Sequence, residues 1–379
     1  MLPSPPDRTR VFVIAEAGVN HDGVLSRALA LVEAAVAAGA DAVKFQSFRA
    51  DALVTEAAPK APYQRRSGSA DERQRAMLQR LELDADDHVA LVRHCAAAGI
   101  EFMSSPFDLE SLRLLVDRCG VRRIKLGSGE LTHGALLLAA ARTALPLVVS
   151  TGMATLAEVE EALGWLAFGA LEPHAVPTSA ACRAAWQSAE GRAAIAGRVT
   201  LLHCTTAYPT AVKDVDLRAM DTLRDAFGLP VGYSDHTIGC AVPWAAVARG
   251  ATMLEKHLTL DRAADGPDHA ASADPDEFRT LVAGIRDIEA ALGSAEKRPR
   301  AAELPQREVA RRSLVAARPL AAGTVLAYTD LVAKRPAGGM SPMRVGDLVG
   351  RTLVRDLAAD ELVTEDVLAA DGAGERRVG

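Results

Sequence analysis

Short apolar segments alternate with amphipathic ones along the first three quarters of the chain. The apolar segments are bounded by turn residues, as strands buried on both faces are; they are 11–19, 42–48, 101–107, 123–130, 147–152, 199–206, 231–237 and 253–259. Helical patterns lie between most of them, at 26–38, 86–98, 109–118, 156–168, 215–226 and 242–249. Eight strands that alternate with helices form a parallel sheet that closes. The pattern therefore predicts an α/β fold, a (β/α)₈ TIM barrel over residues 1–292.

The pattern changes after the predicted barrel. Residues 293–311 are charged, contain proline and lack apolar periodicity, which predicts a linker. Residues 312–370 carry short β-like runs at 314–317, 325–328 and 331–334, separated by glycine-bearing turns, and predict a small β-rich domain. The last segment, 371–379, is expected to be a disordered tail.

Two insertions interrupt the barrel pattern. Residues 51–80 follow the second predicted strand and are expected to form a long loop that folds over the barrel mouth; its charged and aromatic residues are Lys60, Tyr63, Arg65, Arg66 and Arg73. Residues 169–197 precede the sixth strand and contain an alanine-rich and arginine-rich helical piece. Insertions of this kind decorate a barrel's rim or its oligomer contacts.

Composition narrows the class of protein. A net charge of −6 argues against a nucleic-acid binder, so any phosphate recognition must come from a local cluster of donors. Five cysteines without short paired spacing predict buried thiols in a reducing compartment. We see no signal peptide and no apolar run long enough to span a membrane, and we expect a cytoplasmic protein.

Polar residues fall at nearly every predicted strand end. They include Glu16, Lys44, Gln46, Ser105, Ser128, Glu130, Ser150, Ser234, His236 and His257. In a closed barrel these ends gather on one face, where barrel active sites lie. A lysine there can clamp phosphate, act as a Schiff-base nucleophile or balance a charge. Together with Ser105, Ser128 and Ser150, Lys44 and Lys125 favour a cradle for phosphate and carboxylate groups.

Two histidines end consecutive predicted strands. His236 and His257 stand at matching depths of neighbouring strands, so their imidazoles can share one metal ion and leave open positions for water and substrate. The candidate acid–base groups are Glu16, Glu130 and Asp268. The stretch 20–23, after the first strand, fits either a substrate-facing loop or a helix cap.

Eight segments in order carry a family resemblance. They read IAEAGVNHDG, AVKFQSF, FMSSPF, IKLGSGE, VSTGM, LLHCTTAYPT, GYSDHT and LEKHLT, and GPDH follows. Together they closely resemble the sialic acid synthase family, the phosphoenolpyruvate-dependent nonulosonate synthases. The segment from Ser313, with AKRPAGGMSP and DLVGRTL, resembles the family's C-terminal antifreeze-like (SAF) domain.

The resemblance implies roles for named residues. It implies that phosphoenolpyruvate binds to Lys44, Ser105, Lys125, Ser128, Ser150 and Ser234. It implies that His236 and His257 hold a divalent metal ion, typically Mn²⁺, with Mg²⁺ or Co²⁺ as alternatives. Gln46, Tyr208 and Asp268 would contact the open-chain amino-sugar aldehyde, beside Glu16 and Glu130. Family members are domain-exchanged homodimers, in which Arg335 would reach the sugar bound to the other subunit.

The resemblance also bears on the product. The expected reaction joins phosphoenolpyruvate to an N-acetylated mannosamine-type sugar and yields a nine-carbon 2-keto sugar acid and phosphate, so the protein would be a transferase. Thr206 replaces an asparagine of neuraminate-type members, and KFQSF with the long insertion is closer to the legionaminate-type branch. Two alternatives stay open: a Schiff-base barrel aldolase with Lys44 or Lys125 as nucleophile, and a non-catalytic carbohydrate-binding protein.

Overall fold

The computed structural model describes residues 10–61, 64 and 72–370. The chain divides after Gly293 into two compact units. The first unit contains eight parallel strands: β1 (Phe12–Gly18), β2 (Ala42–Ser47), β3 (Glu101–Pro106), β4 (Ile124–Leu126), β5 (Leu147–Ser150), β6 (Val199–His203), β7 (Val231–Asp235) and β8 (Met253–His257). Their hydrogen-bonded order runs β3-β2-β1-β8-β7-β6-β5-β4, and β3 lies beside β4. The predicted (β/α)₈ barrel is confirmed.

Helices flank the strands. In the first unit they are α1 (Leu25–Ala37), α2 (Ala50–Leu53), α3 (Gln74–Gln79), α4 (Ala85–Ala98), α5 (Leu109–Arg113), which continues as a π-helical turn over Leu114–Arg118, α6 (Gly134–Arg142), α7 (Leu156–Leu171), α8 (Ser179–Gln187), α9 (Ala189–Ile195), α10 (Ala219–Phe227), α11 (Ala241–Ala248) and α12 (Pro275–Leu292). The sequence pattern had not indicated α6 or α12. The start of α12 has a clear cause, because Asp274 accepts hydrogen bonds from two backbone N–H groups and proline occupies the first turn.

The fourth strand is shorter than its sequence pattern indicated. β4 ends at Leu126, and residues Ser128–Glu130 form a 3₁₀ turn. The strand predicted at 123–130 therefore ends before Ser128 and Glu130, which lie in the turn that follows β4. The break follows Gly127, and the chain turns there into the loop that carries both side chains.

Strand alternation builds two cores. Outward-facing residues such as Val13, Val43 and Phe45 join the large cluster between the strands and the helices. A second cluster, of Ile14, Ala42, Met103, Val148 and Leu202, is formed by inward-facing residues and fills the lower barrel. Four of these five lie two positions before Glu16, Lys44, Ser105 and Ser150. The polar residues therefore point into the same interior, one layer closer to the mouth.

The second unit has its own small core. Strands β9 (Ser313–Ala316) and β10 (Leu331–Lys334) pair antiparallel, and buried residues such as Leu314, Leu348 and Val363 pack beneath them. Helices α13 (Leu304–Ala310) and α14 (Val345–Leu348) complete the unit. The strand predicted at 325–328 was wrong, since Val325 makes only an isolated bridge and Tyr328 opens a 3₁₀ turn.

Some sequence expectations meet the structure only in part. Helix α13 lies inside the predicted linker. The expected tail at 371–379 and the loop residues Tyr63, Arg65 and Arg66 lie outside the described residues. Within the described part of the chain, no helix combines the length and apolar character that crossing a membrane requires.

Candidate active site at the mouth of the barrel

A cavity of about 430 Å³ opens at the carboxyl ends of the strands. It brings together thirteen of the residues singled out in the sequence: Glu16, Lys44, Gln46, Ser105, Lys125, Ser128, Glu130, Ser150, Tyr208, Ser234, His236, His257 and Asp268. Most lie at strand ends, where alternation turns them inward. Arg335 is exposed at the end of β10, in the second unit.

Two lysines and two carboxylates form an ionic layer at the bottom of the cavity. Lys44 Nζ lies 2.5 Å from Glu16 Oε2 and 3.8 Å from Glu255 Oε2. Lys125 Nζ lies 3.5 Å from Glu255 Oε1, which also accepts a hydrogen bond from Ser234 Oγ at 3.1 Å. All four charged side chains are at most 6% exposed. We call these four side chains the ionic layer. Their charges sum to zero when both carboxylates are ionised.

The two carboxylates of the ionic layer differ in proton affinity. Burial raises the pKa of Glu16 to about 7, and the attraction of Lys44 offsets only part of that increase. Burial also acts to raise the pKa of Glu255, but Lys125 and Lys44 outweigh it and lower the pKa to about 2. Glu255 is therefore the fixed counter-ion of both lysines, and Glu16 is the carboxylate that can change its protonation near neutral pH.

Hydroxyl groups and backbone N–H groups extend this layer toward β5. Lys44 Nζ donates to Ser105 Oγ at 3.2 Å, and Gly152 N donates to Ser128 Oγ at 3.0 Å. Among the described residues, Ser150 Oγ is buried without a hydrogen-bond partner. A Cβ atom on Gly152 would lie 2.4 Å from Thr206 Oγ1 and 2.8 Å from Ser128 Oγ, so a larger residue would displace both hydroxyl groups. These donors line a cradle suited to an oxyanion.

The two histidines lie side by side above the ionic layer. The ring centroids of His236 and His257 are 5.7 Å apart, and the Tyr208 ring lies 4.2 Å from that of His236. His236 Nδ1 is 2.7 Å from Thr205 O, so this nitrogen donates and Nε2 keeps its lone pair. His257 Nδ1, among the described residues, is buried without a hydrogen-bond partner and lies 3.8 Å from Asp268 Oδ2.

Both imidazoles are neutral, so each can offer a nitrogen lone pair to a metal ion. Burial lowers the pKa of His236, and burial together with the neighbouring His236 lowers the pKa of His257 well below its usual value. Neutral imidazole nitrogens are good ligands for divalent transition metals. The described residues contain no cluster of three or more His, Cys, Asp or Glu side chains arranged to hold a metal ion. A metal ion here would therefore depend on two protein ligands and on groups from water or substrate.

Glu130 is the carboxylate on the far side of the cavity. Its Oε2 lies 3.0 Å from Nδ1 of His133. Burial raises the pKa of Glu130, and the contact with His133 offsets part of the increase. Asp268, opposite, has a pKa raised by burial to about 6. Asp268 can therefore exchange a proton near neutral pH.

Apolar side chains surround the opening of the cavity. We call this set the apolar rim; its members are Phe48, Leu53, Val54, Met77, Leu78, Leu81 and Phe107. Phe48 and Phe107 follow β2 and β3, and their rings meet edge to face at 6.1 Å. Of the other five, four come from the first insertion and Leu81 follows it directly, so the inserted segment does reach the barrel mouth. None of these seven was singled out in the sequence, because the insertion has no periodic pattern.

The structure changes two details of the sequence interpretation. Glu255 belongs to the site although only its neighbour His257 was chosen; the two share a strand face, and the i, i+2 spacing is the signal that would have found it. Residues 20–23 do not face the cavity. Asn20 Nδ2 donates to Leu258 O and Ser272 Oγ, both at 2.9 Å, so this loop fixes the segment that carries Asp268.

A buried ion pair lies behind the two histidines. Lys256 Nζ donates to Asp235 Oδ2 at 2.6 Å and to Thr237 O at 2.7 Å. Asp235 Oδ1 also accepts from Tyr233 OH and from Thr237 N and Oγ1. Both charged side chains are at most 2% exposed. This pair ties the end of β7 to the end of β8 on the outer face of the barrel.

Comparisons with known proteins agree with this architecture. The model of the NeuB family matches residues 31–297, and that of the SAF domain matches residues 311–369. The chain is 44% identical to the N,N'-diacetyllegionaminic acid synthase of Legionella pneumophila over 92% of both chains. It is 42% identical to the synthase of the same name from Campylobacter jejuni, over 94% of this chain and 99% of that protein.

A solved structure of a sialic acid synthetase has a similar fold. The N-acetylneuraminic acid synthetase of Leptospira borgpetersenii, in complex with citrate, superposes with a TM-score of 0.63 at 30% identity. The superposition covers 79% of this chain and 90% of that one. The NeuB family model covers seven of the eight ordered motifs and the GPDH stretch, and the SAF model covers the core of the second unit. The chain therefore belongs to the NeuB family and carries a SAF domain after its barrel.

Proposed function

We propose that this protein is a phosphoenolpyruvate-dependent nonulosonate synthase. It joins phosphoenolpyruvate to an open-chain N-acetylated mannosamine-type sugar and forms a nine-carbon 2-keto sugar acid and phosphate. As a transferase it makes a carbon–carbon bond. The observation that carries the proposal is the cavity itself, in which two buried lysines and a set of hydroxyl groups lie directly beside two neutral imidazoles. Relatives at 44% and 42% identity are synthases of this kind.

The donor binds in the ionic layer and the cradle above it. Lys44, Lys125, Ser105, Ser128, Ser150 and Ser234 hold its phosphate and carboxylate groups. Ser150 Oγ, which is buried without a partner among the described residues, gains one in this complex. The backbone N–H of Gly152 already points into the cradle. These lysine, hydroxyl and N–H groups stabilise the phosphate through hydrogen bonds. They do not attack it, because the release of phosphate requires no nucleophilic side chain.

His236 and His257 fit a divalent metal ion, for which Mn²⁺ is our choice over Mg²⁺ or Co²⁺. Three observations support the fit: the short distance between the rings, the free lone pair on His236 Nε2, and the unpartnered His257 Nδ1 among the described residues. When bound, such an ion supplies Lewis acidity toward the aldehyde oxygen of the sugar. Gln46, Tyr208 and Asp268 orient the sugar chain.

The reaction follows from the positions of the reacting carbons. C3 of phosphoenolpyruvate attacks the aldehyde carbon of the sugar, and C2 becomes an oxocarbenium ion. Water adds to C2 and releases a proton to a carboxylate, Glu130 or Glu16; burial raises the pKa of both, and that of Glu16 to about 7. The aldehyde oxygen takes up one proton as it becomes a hydroxyl. The tetrahedral intermediate then expels phosphate by cleavage of the C2–O bond, and the C2 hydroxyl gives its proton to the departing phosphate as it becomes the keto group.

The acceptor we propose is 2,4-diacetamido-2,4,6-trideoxymannose, the sugar of the legionaminate branch. Thr206 lines the cavity where neuraminate-type members carry an asparagine. The two relatives named above are N,N'-diacetyllegionaminic acid synthases. We also propose a cytoplasmic, domain-exchanged homodimer in which the exposed Arg335 of one subunit reaches the sugar bound to the other.

The test is phosphate release from phosphoenolpyruvate, measured with metal-loaded and EDTA-treated protein and with two acceptors. The acceptors are N-acetylmannosamine and 2,4-diacetamido-2,4,6-trideoxymannose. We expect release that requires both sugar and metal and is faster with the second sugar. Absence of release with either sugar across several divalent metals would contradict the proposal and favour a carbohydrate-binding protein. Trapping of pyruvate on Lys44 or Lys125 by borohydride would favour a Schiff-base aldolase instead.

A further inference from the structure

We propose that His133 is a positioning residue for Glu130. Its imidazole holds one oxygen of the Glu130 carboxylate through a hydrogen bond and leaves the other oxygen for the water that attacks C2. This inference rests on the proposed function and adds to it a residue outside the cavity lining. It also assigns the proton of that water to Glu130 rather than to Glu16.

The backbone between β4 and α6 brings the two side chains together. His133 stands three residues after Glu130, and its N–H donates to Glu130 O at 3.0 Å. In such a tight turn, side chains three residues apart lie one above the other. His133 directly precedes α6, and its carbonyl oxygen accepts from the N–H groups of Leu136 and Leu137, both at 3.0 Å. The backbone of His133 is therefore fixed to the turn on one side and to the helix on the other.

Packing holds the start of α6 against α7. Gly134 is the first residue of α6, and a Cβ atom added to it would lie 2.8 Å from Cζ2 of Trp165, which belongs to α7. The backbone and the indole ring are thus in direct contact. Because the start of α6 has little room to shift, His133 stays at a constant distance from the turn that carries Glu130.

The contact joins a buried carboxylate to a partly exposed ring. His133 Nδ1 lies 3.0 Å from Glu130 Oε2, and the two side chains are 41% and 11% exposed. An ionised carboxylate can only accept, so Nδ1 carries the hydrogen and donates it. Glu130 lines the cavity, and its Oε2 is held by the ring. The oxygen that remains for the attacking water is Oε1.

Charged neighbours determine how Glu130 titrates. Burial raises its pKa, the hydrogen bond and the charge of His133 lower the pKa, and Asp108 raises it. Asp108 precedes α5, where it accepts from Ser111 N and Ser111 Oγ, both at 2.7 Å. Lys125, on the strand before Glu130, lies 3.5 Å from Glu255 in the ionic layer. Removal of His133 should therefore raise the pKa of Glu130 further.

The experiment measures kcat for phosphate release against pH, with the metal-loaded, full-length protein and the faster of the two acceptor sugars. His133→Phe and His133→Ala both remove the donor, one with a ring and one without, so a folding defect in one leaves the other for the test. We expect both to lose about tenfold or more in kcat, since a misplaced catalytic group can cost about 10²-fold. Their acidic limb should move to higher pH, because the pKa of Glu130 rises. The KM for phosphoenolpyruvate should not change.

His133→Asn separates the hydrogen bond from the charge. The amide nitrogen of asparagine can take a place close to that of Nδ1, so this variant keeps a neutral donor. It should recover most of the lost kcat, and its acidic limb should lie between those of the wild type and His133→Ala. An asparagine variant that behaves like the alanine variant overturns the proposal, because the hydrogen bond would then have no effect.

The matched control is His94→Phe, at a second contact between a histidine and a glutamate. His94 Nε2 lies 2.6 Å from Glu33 Oε1, the side chains are 34% and 59% exposed, and neither lines the cavity. This variant should keep both kcat and the acidic limb. A loss and a shift equal to those of His133→Phe would overturn the proposal.

The outcomes separate the role of His133 from the function itself. An acidic limb that stays in place in both donor-free variants overturns the role of His133, and so does a wild-type profile without an acidic limb. Neither result touches the synthase assignment. That assignment fails if the wild-type protein releases no phosphate with either sugar, and the proposal for His133 then fails with it.

Discussion

Replacement of Lys256 by methionine should destabilise the barrel by several kilocalories per mole, although Lys256 does not line the cavity. Its ammonium group and the Asp235 carboxylate lie 2.6 Å apart, with side chains 2% and 0% exposed. At an effective dielectric constant of about 20, two unit charges at this distance attract each other by about 6 kcal/mol. The cost of removing both from water offsets most of that attraction in the intact pair.

Removing only the lysine keeps the free-energy cost of burying the Asp235 carboxylate but takes away its attraction to the ammonium group. Methionine fills much of the same volume, so the loss comes from the unpaired Asp235 carboxylate and from Thr237 O, which loses its donor. Breaking a buried pair in this way typically costs about 3–5 kcal/mol. Asp235 keeps three hydrogen bonds, from Tyr233 OH and from Thr237 N and Oγ1, so we expect about 3 kcal/mol.

The assay is urea unfolding followed by tryptophan fluorescence. All three tryptophans, Trp165, Trp186 and Trp244, belong to the first unit, so the signal reports the barrel alone. The double variant Asp235→Asn with Lys256→Met removes both charges and should recover most of the lost free energy of unfolding. The control is Arg118→Met, whose partner Asp86 lies 3.0 Å away with side chains 53% and 90% exposed, and which should lose less than about 1 kcal/mol. A single variant that loses no more than this control would refute the reasoning.

Three further predictions concern the active site. Gly152→Ala should raise the KM for phosphoenolpyruvate about tenfold or more with little change in the free energy of unfolding, because the new Cβ displaces the hydroxyl groups of Thr206 and Ser128; an unchanged KM would remove Gly152 from the cradle. Burial raises the pKa of Glu130, so a general base at this position loses activity as the pH falls through that raised value; Glu130→Gln should remove this acidic limb of the kcat profile, and its persistence would point to Glu16. Arg335→Ala should lower turnover with little effect on unfolding, and unchanged turnover would exclude the cross-subunit role.

The barrel could be predicted because its strands and helices obey different periods. Parallel strands such as β2 and β8 are short apolar runs that end in polar residues, and few other folds repeat this combination eight times. The ends of the strands were harder to predict from the sequence. A run of suitable residues continued past Leu126, but Gly127 ends β4, and no periodicity marks that point.

Most of the candidate site could also be predicted, since strand alternation and a common strand polarity bring the chosen residues to one cavity. What the sequence could not show is how the charges pair. Glu255 lies within ion-pair distance of both Lys44 and Lys125, which depends on three strands that meet only across the interior of the barrel. The apolar rim escaped notice for a related reason: Leu53 and Leu78 are brought together by the fold of an insertion with no repeating pattern.

The barrel strands carry the ionic layer, and the segment after β2 carries most of the apolar rim; this separation has an evolutionary consequence. The charged residues of the ionic layer lie on barrel strands, where a change in one disturbs its neighbours in that layer. Five of the seven rim residues lie on one contiguous segment between β2 and α4. Changes in this segment can therefore reshape the mouth of the cavity during evolution, while the ionic layer on the strands stays the same.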